Sequence, residues 1–360
     1  MKEIDIAIQE IKASNLFDEA YYLKTNKDVK NNPIGHFLLY GAKERRNPSA
    51  EFDVSFYLEK NPDVKKSDFN PLIHYIRHGK SEGRRPCPPK YFLTMATCIK
   101  NEAKYLDEWL CYYIYQGVEH FYLNNDESTD NTREILQPYI EQGYITLYEG
   151  LRKQGILQGD FYYKIIEEKR YESEWCCFYD VDEFYQGEKL LSDFLSTLNP
   201  TVSGIELFWK FYGSAGLEKY DERFVIERFN QHRTIDYNPK DYVKSICRLI
   251  NTKPTKSTHT FHYTKGIVIN AKIEDITNIP EHIRVASLPL IWEKAWINHY
   301  YYKSREEYVE KITKGDVTNF DDKLRIDVWS HGGNRNDVID DSMKDYCEKI
   351  QEIIKKIKGK

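Results

Sequence analysis

Hydrophobic and polar positions divide the chain into two textures. Up to about residue 88 the apolar residues fall in short helical clusters separated by Asn/Asp turns. Phe17-Asp18, Tyr22-Leu23, Asn26 and Asp28-Val29-Lys30 recur as Phe52-Asp53, Tyr57-Leu58, Asn61 and Asp63-Val64-Lys65. The second halves align from Pro33 and Pro71, pairing His36 with His74, Gly41 with Gly79, Glu44 with Glu82, Arg46 with Arg84 and Pro48 with Pro86. Such a repeat predicts a helical hairpin used twice, over about 17–48 and 52–86, each with a proline-initiated second helix and a glycine exit. The run Pro86-Cys87-Pro88-Pro89 reads as a linker.

From Tyr91 strand-like and helix-like stretches alternate. Tyr91–Cys98 is a continuous apolar run of buried-strand type, and Asn101–Gln116 has helical spacing of Leu106, Trp109, Leu110 and Tyr113 before Gly117. Val118–Asn125 reads as a second strand, Thr129–Gln142 as a helix, and Tyr144–Tyr148 as a third strand. Gln158–Tyr171 follows as a helix and Trp175–Tyr179 as a fourth strand. This alternation predicts an α/β fold with a mostly parallel, doubly wound sheet, whose ligands sit at the carboxyl ends of the strands. Three parts are therefore expected: a helical repeat module over 1–88, the α/β domain over 90–320, and a C-terminal helical extension over 321–360. In the last part Asp341–Lys360 forms an amphipathic basic helix with Ile350, Ile353, Ile354 and Ile357 along one side. That side packs on the domain or rests on an anionic membrane surface.

Composition narrows the classes. The 360 residues are 41% hydrophobic and 30% charged with a net charge of −5, which fits a globular chain and gives no global reason for nucleic-acid binding. The first fourteen residues are too charged for a secretory signal, and no stretch suits a membrane span. Seven scattered cysteines lack a Cys-x-x-Cys pair and read as buried thiols of a reducing, cytoplasmic setting.

Candidate chemistry gathers at the strand ends. The first strand delivers Thr97, Lys100, Asn101 and Glu102; the second delivers Asn125 and Asp126, where a carboxylate would hold the ribose or base of a nucleotide and the alternative is a plain capped loop. The fourth leads into Asp180-Val181-Asp182-Glu183. Two carboxylates at the end of a buried strand repel each other, and a hard divalent cation bridging them to a diphosphate relieves that repulsion.

The runs Lys100-Asn101-Glu102, Glu108-Trp109-Leu110, Gly117–Leu123 and Asp180–Phe184 together resemble glycosyltransferases of the GT-A fold. More narrowly the chain is similar to the family 92 galactosyltransferase-like group and bacterial family 2-like relatives. Trp209–Gly216, Glu227-Arg228-Phe229, Lys244-Ser245-Ile246, Asn298-His299-Tyr300 and Lys303-Ser304 extend the likeness over about 91–315. The resemblance implies a UDP-sugar donor, a divalent ion (Mn²⁺ or Mg²⁺) on Asp180 and Asp182, and inversion at the anomeric carbon. It also implies that His299 completes the metal shell and that Lys303 faces the leaving diphosphate; a packed histidine and an exposed lysine are the alternatives. The acceptor would be a glycan or lipid-linked glycan in bacterial surface polysaccharide synthesis.

The general base is sought among Glu206, Glu218, Asp221, Glu222 and Glu227. The resemblance implies a base that starts a helix after a glycine-containing loop, which favours Asp221 or Glu222 after the loop 211–216, with solvated helix-start carboxylates as the alternative. His259 and His262, three apart on a presumed strand, would face opposite sides and form no chelate. The repeat module offers an assembly surface for a homo-oligomer. A non-catalytic nucleotide-sugar or glycan-binding protein is the competing class.

Overall fold

The computed structural model describes residues 2–235, 243–280, 283–284, 290–315, 317–318, 329 and 334–359. Two units divide at Lys90/Tyr91.

In the first unit each repeat begins with a capped helix. Asp18 accepts from Tyr21 N at 2.9 Å to start Glu19–Thr25, and Asp53 accepts from Phe56 N at 2.8 Å to start Val54–Lys60. A proline then opens the second helix of each copy, Pro33–His36 and Pro71–His74, and both run into a wider turn, Phe37–Gly41 and Tyr75–Gly79. The repeated residues make repeated bonds. Tyr22 Oη meets His36 Nδ1 at 3.1 Å, and Tyr57 Oη meets His74 Nδ1 at 3.0 Å. The glycines are forced by that contact, since a Cβ on Gly41 would lie 2.0 Å from the Tyr22 hydroxyl and one on Gly79 would lie 2.2 Å from that of Tyr57. Arg46 binds Asp28, Glu44 and Asn26, and Arg84 binds Asp63, Glu82 and Asn61. The copies differ between their halves, where Pro62 at the first helical position starts an extra helix, Pro62–Ser67, and the first copy has Lys27.

The second unit is built on a sheet of nine strands among the described residues. In chain order they are β1 (Tyr91–Ile99), β2 (His120–Asn125), β3 (Ile145–Glu149), β4 (Ser173–Cys177), β5 (Glu183–Gly187) and β6 (Val202–Phe211). After the short strand β7 (Gln231–His232) come β8 (Val243–Arg248), β9 (Ile267–Ile269) and β10 (Ala295–His299); β7 pairs separately with β11 (Val338–Ile339). The order is β3-β2-β1-β4-β8-β6-β10-β5, with β9 on β6. β3, β2, β1 and β4 are mutually parallel, as the alternating pattern predicts. β8 then enters antiparallel to both β4 and β6, β10 runs parallel to β6, and β5 closes antiparallel to β10. Most pairings are parallel, and the second half of the sheet is mixed.

Helix Ala103–Tyr115 buries Leu106, Trp109, Leu110 and Tyr113 against this sheet and ends before Gly117. Helix Cys347–Lys358 packs on it through Ile350 and Ile357, with Ile353 and Ile354 partly covered. Its apolar side is therefore packed within the second unit. No helix among the described residues is long and apolar enough to cross a membrane. Residues 258–264 form no named strand; His259 is largely enclosed and His262 is exposed.

Candidate functional site

Strand direction decides what meets at the carboxyl edge of the sheet. β4 runs out into Asp180–Asp182, and β5 starts immediately at Glu183. β5 pairs antiparallel with β10 in a register that sets Glu183 opposite His299, and Tyr300 N donates to Asp182 O at 2.8 Å. One ligand atom from each of Asp182, Glu183 and His299 lies within 4.8 Å of the others. The imidazole is wedged against Trp209 and Phe211, at ring separations of 4.3 and 4.8 Å, and its Nε2 stands 3.6 Å from Asp182 Oδ2.

Two lysines answer the carboxylates. Lys244, at the entrance of the reversed strand β8, donates to Asp180 Oδ2 at 2.9 Å and stands 3.5 Å from Glu183 Oε1. Lys311, on helix Arg305–Thr313, pairs with Asp182 Oδ2. Asp180 also accepts from Gln158 Nε2 at 2.8 Å. Burial pushes the Asp182 carboxyl up, but Lys311 and His299 outweigh it and hold the group well below the usual carboxylate range. Glu183 goes the other way: burial dominates and its pKa lies well above the usual value. Burial also lowers His299 and takes His259, beside Lys244, down to about 4.

The set fits a hard divalent cation: two carboxylates and an imidazole converge, and neither Glu183 Oε1 nor His299 Nδ1 has a hydrogen-bond partner among the described residues. Asp180, expected in the shell, stands outside the closest trio; Gln158 and Lys244 take its carboxylate and Glu183 fills its place in the group.

A pocket of about 340 Å³ opens beside the cluster, lined by Asn101, Glu102, Tyr105, Lys303, Lys311 and Lys314 among others. Lys303, with φ +50°, is 5% exposed; its ammonium lies 4.5 Å from the Tyr105 ring centroid, and burial lowers its pKa. Asn101 and Glu102 line the same pocket, and their contacts shape it: Asn101 Oδ1 accepts from Thr129 N at 2.7 Å, and Glu102 pairs with Lys314 at 2.5 Å. Thr97 is buried inside β1 and Lys100 is half-buried just past it.

Asn125 is bound to Glu149, and Asp126 is held by Arg152 at 2.8 Å. Asp221 is bound by Arg223, and with Glu222 it lines a separate open depression beside Phe224, Glu227 and Gln351. Glu206 is buried beside Arg284, at 3.2 Å. The sequence reading assigned no role to Lys244, Lys311, Arg152 or Gln158. Lys244 was visible only as part of a matching run, and Lys311 carried no signal apart from its place in a helix opened by the Ser304 capping box.

A family model for glycosyltransferase family 92 matches residues 93–329. A glycosyltransferase family 92 protein of Oryza sativa subsp. japonica is 22% identical over 250 residues, covering 68% of this chain and 38% of its own. One of Ricinus communis is 24% identical over 256 residues, covering 67% and 40%. The chain thus spans about two-fifths of the length of these curated relatives. Among solved structures, Staphylococcus aureus TarS 1–349 in complex with UDP matches with TM-score 0.30 at 16% identity, over 44% of this chain and 47% of that one.

Proposed function

This chain belongs to glycosyltransferase family 92, and on that premise we propose that it is a metal-dependent, inverting glycosyltransferase of the GT-A type. It moves a hexose such as galactose from a UDP-sugar to a glycan or lipid-linked glycan acceptor, in the synthesis of a bacterial surface polysaccharide. The observation that carries the reading is the meeting of Asp182, Glu183 and His299 beside a pocket lined by Lys303.

In this reading Asp182 and His299 hold a Mn²⁺ or Mg²⁺ ion, with Asp180 or Glu183 as a further ligand. Such an ion would supply a counter-charge for the negative charge that develops on the nucleoside diphosphate as the sugar–phosphate bond breaks. Lys303 supports that role, because an enclosed ammonium with no ion pair within 4 Å among the described residues is suited to a phosphate oxygen. Asn101 and Glu102 shape the wall where the donor enters. Asp126, already neutralised by Arg152, presents a paired rather than a free carboxylate toward a nucleotide. The geometry adds no support for Asp221 or Glu222 as the general base, since both line the other depression.

The test is nucleoside diphosphate release from UDP-, GDP- and CMP-sugars with Mn²⁺, Mg²⁺ or EDTA, for the wild type and Asp182→Asn. We expect metal-dependent UDP release from one sugar nucleotide, lowered about a thousandfold in the variant. Donor binding that ignores both the metal and Asp182 would overturn the reading. Metal-dependent donor binding without turnover, across a panel of glycan acceptors, would favour the non-catalytic class.

A further inference from the structure

The two lysines at the cluster have different settings. Lys244 is 1% exposed and is fixed by the β6 ladder, where it stands opposite Leu207. Lys311 sits near the end of helix Arg305–Thr313, with its ammonium 3.7 Å from the Tyr301 ring centroid and its side chain 14% exposed at the pocket wall. Its stem carries several rotatable bonds, and the 340 Å³ pocket it lines gives the ammonium somewhere else to go.

Charge matching gives this difference meaning. Asp180 is matched by Lys244 and Asp182 by Lys311, while Lys303 adds a further enclosed cation. The two aspartates are therefore neutralised without any ion. A divalent cation entering on Asp182 must push the Lys311 ammonium away, and it then adds two positive charges without a counter-ion to a partly enclosed site. A diphosphate in the pocket removes that excess and offers oxygens to the displaced amine.

We infer that Lys311 holds the place of the divalent ion on Asp182 in the donor-free chain and moves to the donor's diphosphate when ion and donor bind together. Lys311 thus couples the two ligands, so that neither binds well alone. The inference rests on the reading of Asp182 and His299 as ion ligands, and it adds a residue that makes ion uptake conditional on the nucleotide.

Mn²⁺ binding, read from the electron paramagnetic resonance signal of the free aqueous ion, tests it directly with UDP as the probe anion. The wild type should bind Mn²⁺ weakly alone and at least about tenfold more tightly with saturating UDP, the two ligands enhancing each other equally. Lys311→Met should bind Mn²⁺ alone at least about tenfold more tightly than the wild type, because the competing charge is gone. UDP should then enhance its Mn²⁺ binding less. Lys311→Gln is a second neutral variant in case the first melts early, and Lys311→Arg should keep the wild-type pattern. If both neutral variants bind Mn²⁺ alone as the wild type does while Asp182→Asn loses it, the role of Lys311 is overturned and the ion site stands. If Asp182→Asn binds Mn²⁺ as the wild type does, the ion site falls and the inference falls with it.

Discussion

The repeat module and the candidate site both depend on charged side chains, in opposite ways. In the module, Arg46 and Arg84 each bind carboxylates within about twenty residues along the chain, and those partners are open to water: Asp28 and Asp63 have side chains 58% and 59% exposed. In the site, Lys244 and Lys311 reach carboxylates 64 and 129 residues away; both lysines and Asp182 are largely closed to water, and Asp180 is half-buried. The first arrangement is local, wet and made twice. The second is long-range, more enclosed and made once. Exposed pairs contribute little to stability, whereas an enclosed charge robbed of its partner is costly. The difference teaches that the module uses charge to finish a turn, while the second unit concentrates charge where a ligand can use it.

That contrast can be broken by experiment. Lys244→Met strips the cation from Asp180 and Glu183 and should destabilise the second unit by about 3 kcal/mol in denaturant unfolding; a cost no larger than that of an exposed arginine would erase the distinction.

A second enclosed charge, Glu108, sharpens it through pH. Its carboxylate accepts from Val225 N and Ile226 N at 2.7 and 3.0 Å, yet burial outweighs those bonds and raises its pKa from the usual 4.5 to about 7. The folded chain then keeps a proton that the unfolded chain releases, so stability is favoured below about pH 4.5 and falls as pH rises toward 7. Other enclosed groups titrate too, so the comparison is with Glu108→Gln: between pH 5 and 7.5 the wild type should lose up to about 3 kcal/mol more than the variant.

In the module the effects should be smaller. Tyr57→Phe removes the hydroxyl that meets His74 and should cost about 1 kcal/mol, read as a lower melting temperature of the first unit. Arg84→Ala should cost less than about 1 kcal/mol, and less again in high salt. A large, salt-insensitive loss there would show that the wet pairs carry the module after all.

The module was legible in the sequence because each structural bond appears twice: a tyrosine, a histidine and a glycine return in the same order, and the contact that demands them returns too. The run β1 to β4 was equally legible, since apolar strands alternating with amphipathic helices have few other parallel arrangements. The mixed half was not. A short strand such as β8, with Val243, Ile246 and Cys247 among Lys244, Ser245 and Arg248, carries no sign of its direction, so nothing in Val243–Arg248 announced that it would be reversed.

Asp180 and Asp182 could be singled out because they follow a buried strand directly. The entry of Glu183 into the trio depends on the β5–β10 register, which joins positions 116 residues apart. Lys311 was hidden for a plainer reason. A lysine on a polar helix looks solvated until the neighbouring strand end is in place.

The reversal of β8 has a consequence for how this site tolerates change. Where every strand leaves toward the ligand edge, the groups there hang on the loops that follow, and those loops vary freely in length between homologues. Lys244 belongs instead to a strand entrance, held in register on β6 opposite Leu207. Exchanging loops to alter what the pocket admits would shift much of the rim and leave this amine in place, a fixed reference point around which the pocket can be rebuilt.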